Sequence, residues 1–225
     1  MQHFYLPQST KTILSALFCF FTLPLFGQLP FYEDFETAGG STYTADNSSL
    51  TGLPEWSYLQ SGIGRLRFNA GPSFPFSGTN AATLDANGVA PITDTNYLIL
   101  ELDLSAYAGA TDIELGFVFM HHGDEEHAND RVWVRGSNSD PFVEIYNLFA
   151  NQGSAGVYQI ASGLDVDLTL SNAGQSFTST FQVLFGQEDD FDASSTTATD
   201  GYTFDNISLV QLSLIHISEP TRREG

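Results

Sequence analysis

Cysteine is almost missing from this chain: the single one, Cys19, lies within the first 27 residues. Without that segment no disulfide can form, even in a compartment that permits them, so stability has to come from a hydrophobic core. Lysine is missing from residues 28–211, where Arg65, Arg67, Arg131 and Arg135 face 25 aspartates and glutamates, a net charge of −21. With no basic stripe to neutralise phosphates, this balance excludes nucleic acid as a partner and disfavours an anionic membrane surface. It also fits a saline habitat. Histidine is scarce. Away from the two ends only His121, His122 and His127 occur, all in one stretch, and no serine sits in a G-x-S-x-G elbow, so nothing suggests a nucleophilic hydrolase. No stretch carries the 3.6-residue apolar period over three turns.

Residues 1–27 carry Lys11, the apolar run TILSALFCFFTLPLF and a small Gly27. A positive n-region, an h-region of this length and a small residue before Gln28 are the marks of a signal peptide, too short for a membrane span. The expectation is a secreted or cell-surface protein that does not span the membrane after cleavage. Roughly 185 residues remain, enough for one large core, so residues 28–211 are expected to form one module.

Along those residues, AATLDA, NYLILELDL, TDIELGFVFM, DRVWVRGS, FVEIYNL, VYQIASGLDV, TSTFQVLFGQ and YTFDNISLV show period-2 alternation or a β-rich run. The interruptions GGST, NAGPSFPFSG, SNSDP and ASSTTATDG are turn chemistry. Eight to twelve short strands with little helix predict an all-β, two-sheet antiparallel sandwich.

The order YEDFE, NAATLDANG, NYLILELDLSAYAGATDIELGFVF, NDRVWVRGS with FVEIYNL, and FQVLFGQED with DGYTFDNISL resembles the MAM-type and related jelly-roll modules of secreted bacterial proteins, over essentially all of residues 30–210. The cysteines of eukaryotic members are missing here. The resemblance implies a concanavalin-like jelly roll whose first and last strands are neighbours. It also implies non-catalytic adhesion or recognition of a surface glycan or protein ligand, by one module of a longer chain. The alternative is a carbohydrate-binding module once attached to a glycoside hydrolase. Residues 212–222, LSLIHISEPTR, resemble a translated adapter used to build sequencing libraries. On that reading residues 212–225 are an artefactual tail and further modules are missing.

Three groups of residues are candidate sites. If the first and last strands pair, the carboxylates of Asp34, Glu36, Asp200 and Asp205 converge at one edge. Converged oxygens without a basic partner call for a structural calcium ion. In MHHGDEEHAND, residues 120–130, Asp124, Glu126 and Asp130 are a second set for metal or ligand contact, against the alternative of a solvated loop; the spacing matches no zinc signature. Among the aromatics able to stack on sugar rings (Trp56, Tyr58, Phe74, Phe76 and Trp133) most must be core in a sandwich without disulfides. SFPF is the only place where aromatics look loop-borne; the stacking candidates are its Phe74 and Phe76, together with Trp56. A glycosidase strand of the type Glu-x-Asp-x-x-Glu is excluded at ELDLSA, because Ala106 stands where the second glutamate is needed.

Overall fold

The computed structural model describes residues 28–86, 94–123, 126–189 and 201–212. Twelve strands follow in chain order: β1 (Phe31–Glu33), β2 (Thr42–Tyr43), β3 (Trp56–Gln60), β4 (Gly64–Arg67), β5 (Ala82–Ala86), β6 (Asp94–Leu102), β7 (Ile113–His121), β8 (Arg131–Arg135), β9 (Val143–Asn147), β10 (Gln159–Asp165), β11 (Phe181–Asp189) and β12 (Tyr202–Gln211). Two short helices interrupt them, α1 (Leu148–Asn151) and α2 (Val166–Asn172). Each starts where a side chain caps it: Asn147 Oδ1 accepts from Ala150 N at 2.7 Å, and Asp165 Oδ1 from Leu168 N at 2.9 Å.

The strands form two antiparallel sheets. The larger has seven, in the order β10-β7-β12-β5-β4-β2 with β1 also on β12; the smaller has five, in the order β3-β6-β11-β8-β9. The expected all-β two-sheet architecture is therefore what the chain adopts. First and last strands are neighbours, as the resemblance implied: Phe31, Tyr32 and Glu33 lie opposite Leu209, Ser208 and Ile207. One strand reaches two partners on the same side because of a bulge. Tyr202–Phe204 pair with β5, Ile207–Leu209 pair with β1, and the register shifts between Asp205 and Ser208. Asn206 takes φ 48° there, a left-handed conformation that asparagine tolerates better than most residues.

Alternation decides which side chains enter the space between the sheets. Phe117 and Phe119 of β7, Phe181 and Phe185 of β11, Tyr202 and Phe204 of β12 and Trp56 and Tyr58 of β3 all point inward and are fully or almost fully buried. Their rings interlock across the sheets: Phe117 meets Phe185 at 5.3 Å between centroids and an 86° interplanar angle, and Phe185 meets Phe204 at 5.1 Å. Strands β3 and β4 are additions to the sequence reading, short pieces separated by a turn at Ser61–Ile63. No helix among the described residues is long and apolar enough to cross a membrane.

Candidate functional site

The outward face of the five-stranded sheet carries an apolar groove. On β8, Val132 and Val134 are buried inward, which turns Trp133 and Arg135 outward. Register then places Leu184 of β11 beside Trp133, Ile99 of β6 beside Leu184, and Tyr97 beside Leu59 of β3. With Asn129 and Phe142 these residues line a groove of about 420 Å³ that crosses four strands, β3, β6, β11 and β8. The Tyr97 and Trp133 rings lie 6.5 Å apart, edge to face at 71°. A glycine makes room for the tryptophan. A Cβ on Gly186 of β11 would stand 2.5 Å from Trp133 Cζ3 and 2.6 Å from the Asn129 carbonyl, so the indole lies directly over the β11 backbone.

A polar row borders the apolar floor. Glu101 Oε2 accepts from Gln182 Nε2 at 2.5 Å, and Gln182 Oε1 accepts from Arg135 Nε at 2.8 Å and Nη2 at 2.5 Å. The Arg135 guanidinium sits 4.2 Å over the Phe142 ring. Among the described residues that line the groove none is a carboxylic acid. What it offers is a flat apolar surface with oriented donors at its margin.

The sequence-predicted stacking residues are elsewhere. Trp56 has no exposed surface: its ring packs against Phe35 at 5.4 Å and Phe185 at 6.2 Å, and its indole N–H donates to Glu33 Oε2 at 3.3 Å. It is a core residue, and the stacking expectation for it is corrected on that ground. Phe74 and Phe76 belong to a loop lying on the outward face of the seven-stranded sheet. Phe74 stacks on His122, 4.4 Å between centroids and 26° apart. Phe76 keeps 49 % of its surface exposed but meets Tyr158 edge-on at 5.1 Å. The face beneath is polar and sealed. Asp85, fully buried, receives Arg65 Nε at 2.8 Å and Nη2 at 2.9 Å and also pairs with Arg67. Thr83 and Thr203 share a hydrogen bond at 2.8 Å, and Thr203 bonds His122 Nε2 at 2.7 Å. Burial, with His121 and Arg67 nearby, pulls the His122 pKa down to about 4.

The edge carboxylates are placed as follows. Asp205 is buried; its Oδ2 accepts from Phe76 N at 2.9 Å and Ser77 N at 3.0 Å, and its Oδ1 from Asn206 N at 2.7 Å. Desolvation raises its pKa against those hydrogen bonds. Glu36 accepts from Thr79 N and Asn80 N at 2.7 and 2.8 Å and from Thr79 Oγ1 at 2.8 Å, which lowers its pKa. Asp34 is exposed and accepts from Glu36 N at 3.1 Å. Asp200 lies outside the described residues. Amide hydrogens of the Phe76–Asn80 segment thus take up the oxygens of Glu36 and Asp205, and among the described residues no three His, Cys, Asp or Glu side chains gather closely enough to hold a metal ion. The described part of the predicted calcium edge does not form a cage.

The second set is also dispersed. Asp124 lies outside the described residues. The Glu126 side chain is 63 % exposed and 3.8 Å from Arg131. Asp130 is fully buried and accepts from His127 N at 2.9 Å and Glu188 N at 3.0 Å, and burial raises its pKa to about 6. It fastens the loop to β11 and so holds Asn129 at the groove, where Asn129 N and Nδ2 donate to Glu188 Oε2 at 3.1 and 2.9 Å. The residues missed in sequence were Tyr97, Arg135, Phe142 and Gln182, with Trp133 named but not chosen. The pattern Val-Trp-Val between two arginines was the available signal, because alternation puts that tryptophan on the face opposite the valines.

No family model matches the chain, and no curated protein matches it. Among solved structures, 80 % of the chain aligns with 99 % of the K2 cleaved adhesin domain of Lys-gingipain, at 16 % identity and a TM-score of 0.46. The same share aligns with 92 % of the C-terminal family 22 carbohydrate-binding module of Clostridium thermocellum Xyn10B, at 10 % identity and a TM-score of 0.43. A family 11 carbohydrate-binding module from Clostridium thermocellum, solved with a β-1,3-1,4-mixed-linked tetrasaccharide, aligns over 74 % of this chain and 95 % of its own, at 10 % identity and a TM-score of 0.39.

Proposed function

We propose that this chain is a non-catalytic glycan-binding module whose binding face is the groove on the five-stranded sheet. The observation that carries the reading is Trp133: a large ring held flat over Gly186, turned to solvent beside Tyr97, with no core role to explain it. Sugar rings present C–H faces that pack on such aromatics and hydroxyls that need fixed donors at the margin, which Asn129 and Arg135 supply. That the described lining residues are apolar, amide or guanidinium groups supports a reading of binding rather than hydrolysis. Adhesion, the first reading of the sequence, is kept as the use to which glycan binding is put. The groove places a sugar ligand ahead of a protein one because its aromatic rings, Tyr97, Trp133 and Phe142, lie beside the polar groups of Asn129 and Arg135 rather than in a wholly apolar patch.

The test is calorimetric titration of soluble polysaccharides into wild type and Trp133→Ala. Truncation is expected to weaken binding by at least about 2 kcal/mol, roughly thirtyfold, with the urea midpoint unchanged. Equal binding by the variant overturns the assignment of the face.

A further inference from the structure

We infer that the ligand of this groove carries carboxylates: a glycan whose otherwise neutral chain bears scattered uronic acids, with Arg135 as the residue that reads them. The inference rests on the glycan-binding reading above and narrows it to a ligand class.

It comes from comparing the four arginines. Arg65 and Arg67 are buried against Asp85. Arg131 lies 3.6 Å from Glu144 and 3.8 Å from Glu126. Arg135 alone, among the described residues, has no carboxylate within 4 Å. This is odd in a chain with 27 acids and seven lysines and arginines. The two nearest acids are committed elsewhere. The Glu101 carboxylate accepts from Gln182, and that of Asp140 accepts from Ser137 Oγ at 2.7 Å, leaving Arg135 only the Asp140 backbone carbonyl at 3.4 Å. The guanidinium is half-buried against Phe142; desolvation lowers its pKa, against the favourable fields of Glu101 and Asp140, neither of whose carboxylates touches it.

A half-buried cation with no carboxylate in direct contact leaves a place that a ligand's carboxylate can fill. Of the five N–H groups of a guanidinium, three are spent on Gln182 and Asp140, and two remain for the two oxygens of a carboxylate. Gln182, itself held by Glu101, fixes the plane of the fork before any ligand arrives. The rest of the surface restricts what this ligand can be. A net charge of −20 repels a continuous polyanion, whereas isolated carboxylates on a neutral chain meet that repulsion once per contact.

The experiment uses glucuronoxylan and xanthan, each in native and carboxyl-reduced form, with barley β-glucan as a neutral polymer, titrated into the full chain as wild type, Arg135→Gln and Arg135→Met. The methionine variant keeps an apolar stem on Phe142, and near-ultraviolet circular dichroism checks that both variants are folded. Wild type is expected to bind a native polymer at least about tenfold more tightly than its carboxyl-reduced form, as a charge-assisted pair of hydrogen bonds implies. Both variants are expected to lose that difference, so that each binds a native polymer and its carboxyl-reduced form equally. Equal binding of native and reduced polymers by wild type, or a difference that survives both substitutions, overturns the uronate inference and leaves the glycan reading standing. Failure of wild type to bind any of the polymers overturns both.

Discussion

The outward faces of the two sheets have opposite fates. On the three strands β4, β5 and β12 of the seven-stranded sheet the outward positions Arg65, Arg67, Thr83, Asp85, Thr203 and Asp205 are all buried, because the loop holding Phe74 and Phe76 folds over them and is fastened by Asp205 and Glu36. On the five-stranded sheet the outward positions include exposed Leu59 and partly exposed Tyr97, Trp133 and Arg135, with Ile99 and Leu184 buried among them at the floor of the groove. The polar face is sealed and the aromatic face is open, the reverse of what solubility alone favours. A sandwich has two outer surfaces, and an apolar one left open marks a binding surface more reliably than a loop rich in aromatics.

Breaking the sealed face is expected to give the largest effect. Asp85→Ala leaves two buried guanidinium groups without their shared partner and should cost about 3–5 kcal/mol in urea denaturation. An effect below about 1 kcal/mol would show that this face is solvated. Acid titrates the same face. The His122 pKa is depressed in the fold, so the unfolded chain takes up its proton first. Stability is complete above about pH 6.5 and is lost as the pH falls towards 4, by at most about 3 kcal/mol. Asp130, with its pKa raised to about 6, works in the opposite sense: its burial penalty disappears as the pH falls from 6 towards 4. Melting curves of wild type and His122→Gln between pH 7 and 4.5 separate the two, and the variant should gain stability relative to wild type as the pH falls. The smallest effect sharpens the contrast. Phe76→Ala should cost about 0.5–1.5 kcal/mol of stability through its edge contact with Tyr158 and leave glycan affinity unchanged. A loss of affinity would move the binding surface to the larger sheet.

Much of the sandwich was readable from alternation, because a strand such as YLILELDL or FQVLFGQED carries its burial in its period. Strands β3 and β4 were not, and the reason is physical. In EWSYLQ both faces are apolar, Trp56 and Tyr58 against Leu59, so the pattern does not say which one is inward. In GRLR the arginines are buried by a distant loop rather than exposed. The same ambiguity misplaced Trp56, whereas DRVWVRG, unambiguous, held the answer for Trp133. The cover over the larger sheet was out of reach, since Phe76 and Asp205 are 129 residues apart and neither carries a local sign of the other. The polar row was equally hidden: Glu101, Gln182 and Arg135 come together only through the register of three strands.

The bulge in β12 carries a consequence for how the protein is made. Because one strand, the twelfth in chain order, pairs with β7 on one side and with both β5 and β1 on the other, the larger sheet has no complete interior until that strand emerges. Pairing Phe31 with Leu209 spans nearly the whole described chain, and contacts of such separation make folding slow. Until β12 arrives, β7, β5 and β1 each present an unpaired edge, so closure of the larger sheet waits on that one strand.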